Sequence, residues 1–211
     1  MMVNNNSFAK SVVVLFVITL AFFTVSVSVC SSKNSTKYYM DKVIANLKKG
    51  NVKTVNKYSA KLPKWASEKC VSKMSQKQKK AFNAIIKKEI KKRAGSLDHD
   101  VCFVTDIDKD GIAELLVEHG DFEAERVIVI YKYKNGKAKK LKGEIDAYHL
   151  GIICQCPGRN GVLFCHYGRA SYFTMVSIKN DTIKTKDIAY FDEGTYEIPN
   201  VGNMVKGTKG L

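Results

Sequence analysis

The sequence lacks the short motifs that mark the commonest enzyme active sites. It contains no Gly-x-Ser-x-Gly nucleophile elbow, no glycine-rich phosphate loop and no His-Glu-x-x-His metal helix. In the lysine-rich segment 37–97, no aromatic interleaving indicates the stacking platform of a single-strand nucleic-acid binder. We therefore expect neither an enzyme defined by such a motif nor a nucleic-acid partner.

Acidic residues are scarce in the first half of the chain. Between Lys33 and Leu97 there are 3 Asp and Glu against 19 Lys and Arg, whereas the stretch from Asp98 to Leu211 has 17 against 15. The net charge of +15 is thus concentrated in one segment, which predicts two differently used parts. We predict a signal peptide or lipoprotein signal at 1–30, a tether at 31–36, a basic helical segment at 37–97, a β domain at 98–195 and a tail at 196–211.

The N-terminal stretch predicts export. Lys10 precedes an uncharged apolar run from Ser11 to Phe23 that continues to Val29, which is typical of a secretory signal and is also long enough for an uncleaved anchor. The following text, VSVCSS, resembles a bacterial lipoprotein junction and implies lipidation at Cys30, although Val29 departs from the small residue preferred there. We expect either a membrane-anchored lipoprotein, an uncleaved anchor or a secreted extracellular protein.

Apolar spacing predicts helices in the basic segment, at about Thr36–Lys49, around 52–58 and at Ser75–Arg93. Ser75 is a suitable N-cap for the third helix. The side of this helix away from its apolar residues is rich in lysine, which indicates contact with a polyanion or with lipid headgroups; the alternative is the solvated exterior of an amphipathic helix. The candidate contact residues are Lys79, Lys80, Lys87, Lys88, Lys91 and Lys92.

After His99 the pattern of apolar residues becomes typical of β-strands. The segment 125–133 is apolar on both faces and predicts a central strand, and Asn135-Gly136 predicts a tight hairpin turn with a return strand over 138–147. A second hairpin is predicted from Ser171 to Phe191, turning at Asn180-Asp181. We predict an α+β fold in which an antiparallel meander sheet of about six to eight strands carries the helices on one face.

An acidic loop between two predicted strands is the most specific pattern in the chain. The stretch DIDKDGIAE has carboxylates at positions 1, 3, 5 and 9, with Gly111 at the sharp turn. Calcium prefers such oxygen ligands. The alternative is a solvated turn, in which the aspartates repel one another without gain. The predicted calcium ligands are the carboxylates of Asp106, Asp108, Asp110 and Glu114 and the carbonyl of Ile112.

This loop resembles the Asp-x-Asp-x-Asp-Gly-x-x-Asp/Glu calcium loops of FG-GAP repeats, as in the propeller blades of integrin α-chains. The resemblance covers the loop and its flanks, and it implies the calcium site without implying a propeller. More broadly, the text VTDIDKDGIAELLVEHG and the hairpin that follows it are similar to small exported proteins and lipoproteins of Gram-positive anaerobes. That resemblance implies export and implies no catalytic residues.

The cysteines have three possible roles: a disulfide, a zinc site or a catalytic Cys/His pair. Cys156 and Cys165 flank a turn-rich connection, so we predict a disulfide between them, with Cys154 as a competitor of Cys156. Together with His166 these cysteines form a zinc-type set, but its spacing fits no common zinc module. A Cys/His nucleophilic pair is the enzyme alternative, although neighbours on a strand, such as Cys165 and His166, point to opposite faces.

Together these features predict a non-enzymatic exported binding or adhesion module that is stabilised by a structural calcium ion. Its expected partners are a cell-surface polyanion, a glycan or a protein, and the membrane through the lipid or anchor. The alternative is a small exported hydrolase or thiol-dependent enzyme that uses the region from Cys154 to His166.

Overall fold

The computed structural model describes residues 35–66, 70–92, 102–120, 123–192 and 199–211. The chain forms two compact units, Met1–Tyr38 and Tyr39–Leu211; in the first unit the described residues, 35–38, are helical, and all contacts reported below belong to the second. The helices of the described residues are α1 (35–47), α2 (Val52–Ser59), α3 (Cys70–Lys73) and α4 (Gln76–Lys92).

Ten strands form two antiparallel sheets in the described part of the chain. The strands are β1 (Cys102–Thr105), β2 (Glu114–His119), β3 (Val127–Lys134), β4 (Lys137–Lys140), β5 (Ile145–Asp146), β6 (Leu150–Gln155), β7 (Val162–Tyr167), β8 (Ser171–Lys179), β9 (Thr182–Phe191) and β10 (Gly207–Thr208). One sheet has the order β10-β1-β2-β3-β4, with β5 also paired to β3, and the other has the order β6-β7-β8-β9.

The two sheets face each other across a shared apolar core, to which Leu116 and Ile130 contribute from one side and Phe164 and Val176 from the other. The outer faces are covered by helices. Met40, Ile44 and Leu47 of α1 and Val55 of α2 pack against the outer face of the four-stranded sheet. Phe82 and Ile86 of α4 pack against the outer face of the six-stranded sheet. The second unit is therefore layered helix, sheet, sheet, helix.

The predicted α+β class and antiparallel pairing are confirmed, and so are several local features. The hairpin turns at Asn135-Gly136 and Asn180-Asp181 form, with φ near +52°, +80°, +53° and +54°, as a mirror-image turn requires. Ser75 caps α4 by accepting a hydrogen bond from the Gln78 N–H at 3.1 Å.

The single meander sheet of six to eight strands was wrong, as was the placement of helices on one face. The predicted return strand over 138–147 divides into β4 and the two-residue β5, after which the chain crosses to the other sheet. The tail also belongs to the fold, because Gly207 and Thr208 pair with Phe103 and Cys102.

No helix in the described ranges is long and apolar enough to span a membrane. The predicted signal at 1–30 and the lipidation candidate Cys30 lie outside the described residues.

Candidate metal centre

The acidic loop lies between β1 and β2, as predicted. Thr105 and Glu114 pair at its base, at the ends of the two strands. Ile107 holds the loop at three points: its side chain is buried in the core between the sheets, its N–H donates to Oε2 of Glu114 at 2.8 Å, and its carbonyl accepts the N–H of Gly161 at 2.7 Å. The loop is thus fixed to both sheets before any ligand binds.

Three carboxylates converge in this loop. One oxygen from each of Asp106, Asp108 and Glu114 lies within 4.8 Å of the other two. Glu114 is fully buried, and its Oε1 has no hydrogen-bond partner; the same is true of Oδ1 of Asp106. Buried carboxylate oxygens normally have partners, so these two oxygens are suited to be ligands of a cation.

Side-chain oxygens also shape the turn itself. Oδ1 of Asp108 accepts the N–H of Asp110 at 3.3 Å, and Oδ1 of Asp110 accepts the N–H of Ile112 at 2.8 Å. Oδ2 of Asp106 accepts the N–H of Gly111 at 3.1 Å, and Gly111 has a φ of +89° that few other residues adopt. Each aspartate therefore uses one oxygen to hold the backbone. The other oxygen of Asp106 has no hydrogen-bond partner, whereas those of Asp108 and Asp110 face Lys132.

A lysine from the neighbouring strand also faces the loop. Nζ of Lys132 donates to Oδ2 of Asp108, lies 2.7 Å from Oδ2 of Asp110 and is 3.8 Å from Oε1 of Glu114. Partial burial acts to lower the pKa of Lys132, but the hydrogen bonds to both aspartates outweigh it and hold the pKa above its ordinary value. Lys132 thus supplies one positive charge to a cluster of four carboxylates.

One ammonium does not fully compensate Glu114. Burial raises the pKa of Glu114 from 4.5 to about 8, and the charges of Asp108 and Asp110 add to the rise. The Ile107 N–H and Lys132 oppose it. The charged form of Glu114 is therefore poorly stabilised by the protein alone, and a divalent cation would stabilise it.

The predicted ligands are placed as follows. Asp106, Asp108 and Glu114 come together, whereas Asp110 lies at the exposed rim and pairs with Lys132. Ile112 is in the same turn, with 41% of its side chain exposed. The contact of Lys132 with the loop was not predicted. It depends on the pairing of Leu115 with Tyr131, which places the next residue of β3, Lys132, beside Glu114.

The predicted Cys156–Cys165 disulfide is not formed. Ile152 pairs with Cys165 and Gln155 with Val162, so Cys156 lies four positions further along the hairpin than the partner of Cys165. Each residue of a strand adds about 3.4 Å, which puts the two cysteines out of bonding range. Cys154 is the cysteine nearest to Cys165 in the structure, at 3.9 Å between the sulfur atoms.

The lysine face of α4 is on the side away from the sheet. Lys80, Lys87, Lys88 and Lys91 are exposed and Lys79 is half-buried, while the side chain of Lys92 lies outside the described set. The amphipathic character predicted for this helix is confirmed by its packing.

No family model, characterised protein or solved structure matches this chain.

Proposed function

We propose that the loop from Asp106 to Glu114 binds one Ca²⁺, and that the ion stabilises the fold of an exported binding or adhesion module. The observation that carries the proposal is the Glu114 carboxylate, which is fully buried, has no hydrogen bond at Oε1 and converges with Asp106 and Asp108. A buried carboxylate is costly unless it is paired or coordinates a metal.

Calcium suits this donor set better than a softer metal does. The three converging groups offer only oxygen, and hard cations prefer carboxylates and carbonyls to sulfur or nitrogen ligands. The chain's own residues would hold the ion as follows: Asp106, Asp108 and Glu114 as ligands, with Ile107 orienting Glu114 through its N–H. Binding requires Lys132 to give up part of its contact with Asp108 and Asp110.

The proposed role of calcium is structural. Residues on both sides of the loop belong to the six-stranded sheet, and Ile107 also connects the loop to Gly161, which directly precedes β7 of the other sheet. An ion in this loop would neutralise repelling carboxylates at a point that both sheets share, so binding would raise the stability of the whole second unit.

This first proposal is tested by thermal unfolding of the full chain in calcium and in chelator. We expect the wild type to gain stability with calcium, by about 2.7 kcal/mol when the ion is at a hundredfold excess over its dissociation constant. Asp108→Asn keeps the acceptor for the Asp110 N–H but removes a ligand charge, and it should abolish the calcium shift. Asp181→Asn is the matched control, since Asp181 pairs with Lys134 and is not one of the proposed ligands.

An unchanged calcium shift in Asp108→Asn, or the same loss of shift in Asp181→Asn, would contradict the assignment of the ion to this loop.

We further propose that the exposed lysines of α4 bind a cell-surface polyanion. The support is their position: the apolar face of α4 is covered by the sheet, and the lysines occupy the exposed side. The apolar, signal-like leader supports an exported, surface-anchored or secreted location, where anionic polymers are the expected partners.

The second proposal is tested by the salt concentration that elutes the full chain from a heparin column, heparin being the polyanion probe. Replacing Lys80, Lys87, Lys88 and Lys91 with Gln should lower this concentration clearly. The control replaces four exposed lysines of β4 and β9, namely Lys137, Lys139, Lys140 and Lys184, which changes the net charge equally. Equal effects of the two variants would show that net charge alone determines binding.

No observation favours the thiol-enzyme alternative. Burial raises the pKa of Cys154 and raises that of Cys156 to about 12, which disfavours the thiolate that such chemistry needs. Cys165 belongs to the core beneath α1, whereas His166 contacts Phe164 and Tyr172 on the other face of β7.

A further inference from the structure

A second concave site lies where the cleft between the two sheets opens to solvent. Its volume is about 620 Å³. The walls come from β5 and the loop before it, and from β7, β8 and β9. Its titratable lining residues are Glu144, Asp146, His166, Tyr172, Asp187 and Tyr190. None of them belongs to the acidic loop.

The imidazole of His166 is held in one orientation. Its Nδ1 is 2.9 Å from the carbonyl oxygen of Tyr148, and the hydroxyl of Tyr172 donates to the same oxygen at 2.9 Å. The two rings stack, with centroids 4.0 Å apart and planes inclined by 10°. Because a carbonyl oxygen can only accept, Nδ1 carries the proton, and Nε2 of the neutral ring carries a lone pair.

This Nε2 has no hydrogen-bond partner among the described residues, and His166 lines the pocket. His166 is only 1% exposed, and its one hydrogen bond within the described residues uses Nδ1. Burial lowers the pKa of His166, which keeps the ring neutral and Nε2 an acceptor. The histidine therefore presents an acceptor, and not a charge, to the pocket.

Asp146 and Asp187 each use one carboxylate oxygen within the protein, and the other oxygen of each forms no hydrogen bond with the described residues. Oδ1 of Asp146 accepts the N–H of Tyr148 at 2.8 Å, and Oδ1 of Asp187 accepts the hydroxyl of Thr174 at 3.1 Å. Among the described residues, no lysine or arginine forms an ion pair with Glu144, Asp146 or Asp187. In a chain of net charge +15, an acidic pocket without paired cations is a local exception, and it suits a positive or donor-rich ligand.

The geometry points to a binding site for an organic ammonium ion, such as a primary amine or a diamine. An alkylammonium offers three donors to acceptors that lack them, its carbon chain can lie against Ile188 and Ala189, and its charge can face the ring of Tyr172 or Tyr190. A bound metal ion is the poorer fit, because the three-carboxylate group in the loop is the one set of described residues with metal-ligand spacing.

The proposal is tested by titrating the full chain, isotopically labelled for amide NMR, with cadaverine and with 1,5-pentanediol. The two probes share a five-carbon chain and polar ends, and only cadaverine is charged. We expect cadaverine to shift the amide signals around His166 and to bind at least about tenfold more tightly than the diol, as a charged hydrogen bond requires.

Asp187→Asn keeps the acceptor for Thr174 and should weaken cadaverine binding by about tenfold. Tyr190→Ala, at a side chain that is 66% exposed and so not needed for folding, should weaken it severalfold. Asp181→Asn makes the same change in net charge outside the pocket and should leave the affinity unchanged. The proposal is overturned if cadaverine does not bind, if the diol binds equally well, or if Asp187→Asn and Asp181→Asn behave alike.

Discussion

Nζ of Lys132 on β3 lies 2.7 Å from Oδ2 of Asp110 at the rim of the acidic loop. The ammonium also reaches Asp108 and approaches Glu114, so the same residues that would bind an ion already hold a protein cation. If the loop binds calcium as proposed, the ion and Lys132 would compete for shared carboxylates. This competition would make the affinity of the loop adjustable through a residue that is not itself a ligand.

Replacing Lys132 with Met should strengthen calcium binding, because the variant no longer has to release charge-assisted hydrogen bonds. We expect about a tenfold gain in affinity, the equivalent of one such bond, and a lower melting temperature in chelator. Calorimetric titration measures the affinity. Lys134→Met is the control, since Lys134 pairs with the distant Asp181. A weaker or unchanged affinity in Lys132→Met would argue against competition.

Gly161 connects the acidic loop to the start of β7, and replacing it should destabilise the fold. Its φ is +123°, and a Cβ there would lie 2.8 Å from the carbonyl oxygen of Val176. We expect Gly161→Ala to lower the free energy of unfolding by more than about 1 kcal/mol, measured by urea denaturation. Gly136→Ala also has a positive φ but meets no atom within 4 Å, so it should lose less. Equal losses would show that the close approach is unimportant.

His166 should make the protein sensitive to acid. Burial lowers the pKa of His166 below its ordinary 6.5, and the charges of Asp146 and Asp187 oppose the shift only in part. The unfolded chain therefore takes up the proton first. The stability contributed by the neutral ring is complete above pH 6.5 and is lost as the pH falls through the lower folded value.

The measurement is urea unfolding at about pH 7.5 and about pH 5.5, at fixed calcium, for the wild type and His166→Gln. The wild type should lose more stability over this interval than the variant does. Identical losses would mean that other groups account for the acid sensitivity.

The buried cysteines should react slowly. Cys154, Cys156 and Cys165 are buried, and Cys70 is half-buried. Iodoacetamide should therefore modify Cys70 well before those three in the native protein, as mapped by mass spectrometry of digested samples. Rapid modification of Cys154 or Cys156 in the folded protein would revive the thiol-dependent enzyme as a candidate.

Features determined by neighbouring residues were predictable, and features determined by distant pairing were not. Asn135-Gly136 and Ser75 specify a turn and a helix cap through their own backbone preferences, and the structure has both. The partition of strands between two sheets was missed, because alternating apolar residues do not identify which sheet a strand joins. The apolar character of both faces of the segment 125–133 was the available signal that both of its faces are covered.

The residues of the candidate site also fall into those predictable from local sequence and those that are not. The carboxylates of Asp106, Asp108 and Glu114 lie within a stretch of nine residues and could be recognised from spacing alone. Lys132 reaches them only through the register of β2 against β3, and Gly161 only through the contact between sheets. The pocket around His166 likewise depends on four separate segments that meet in the folded chain.

The most direct test of the central claim is a calcium titration of the wild type and of Glu114→Gln by calorimetry. Gln has nearly the shape of Glu and can still accept the Ile107 N–H, but it removes the buried charge at the centre of the loop. The account predicts one calcium ion per wild-type chain and none for Glu114→Gln. Absence of binding to the wild type at millimolar calcium, or equal binding by the variant, would contradict it.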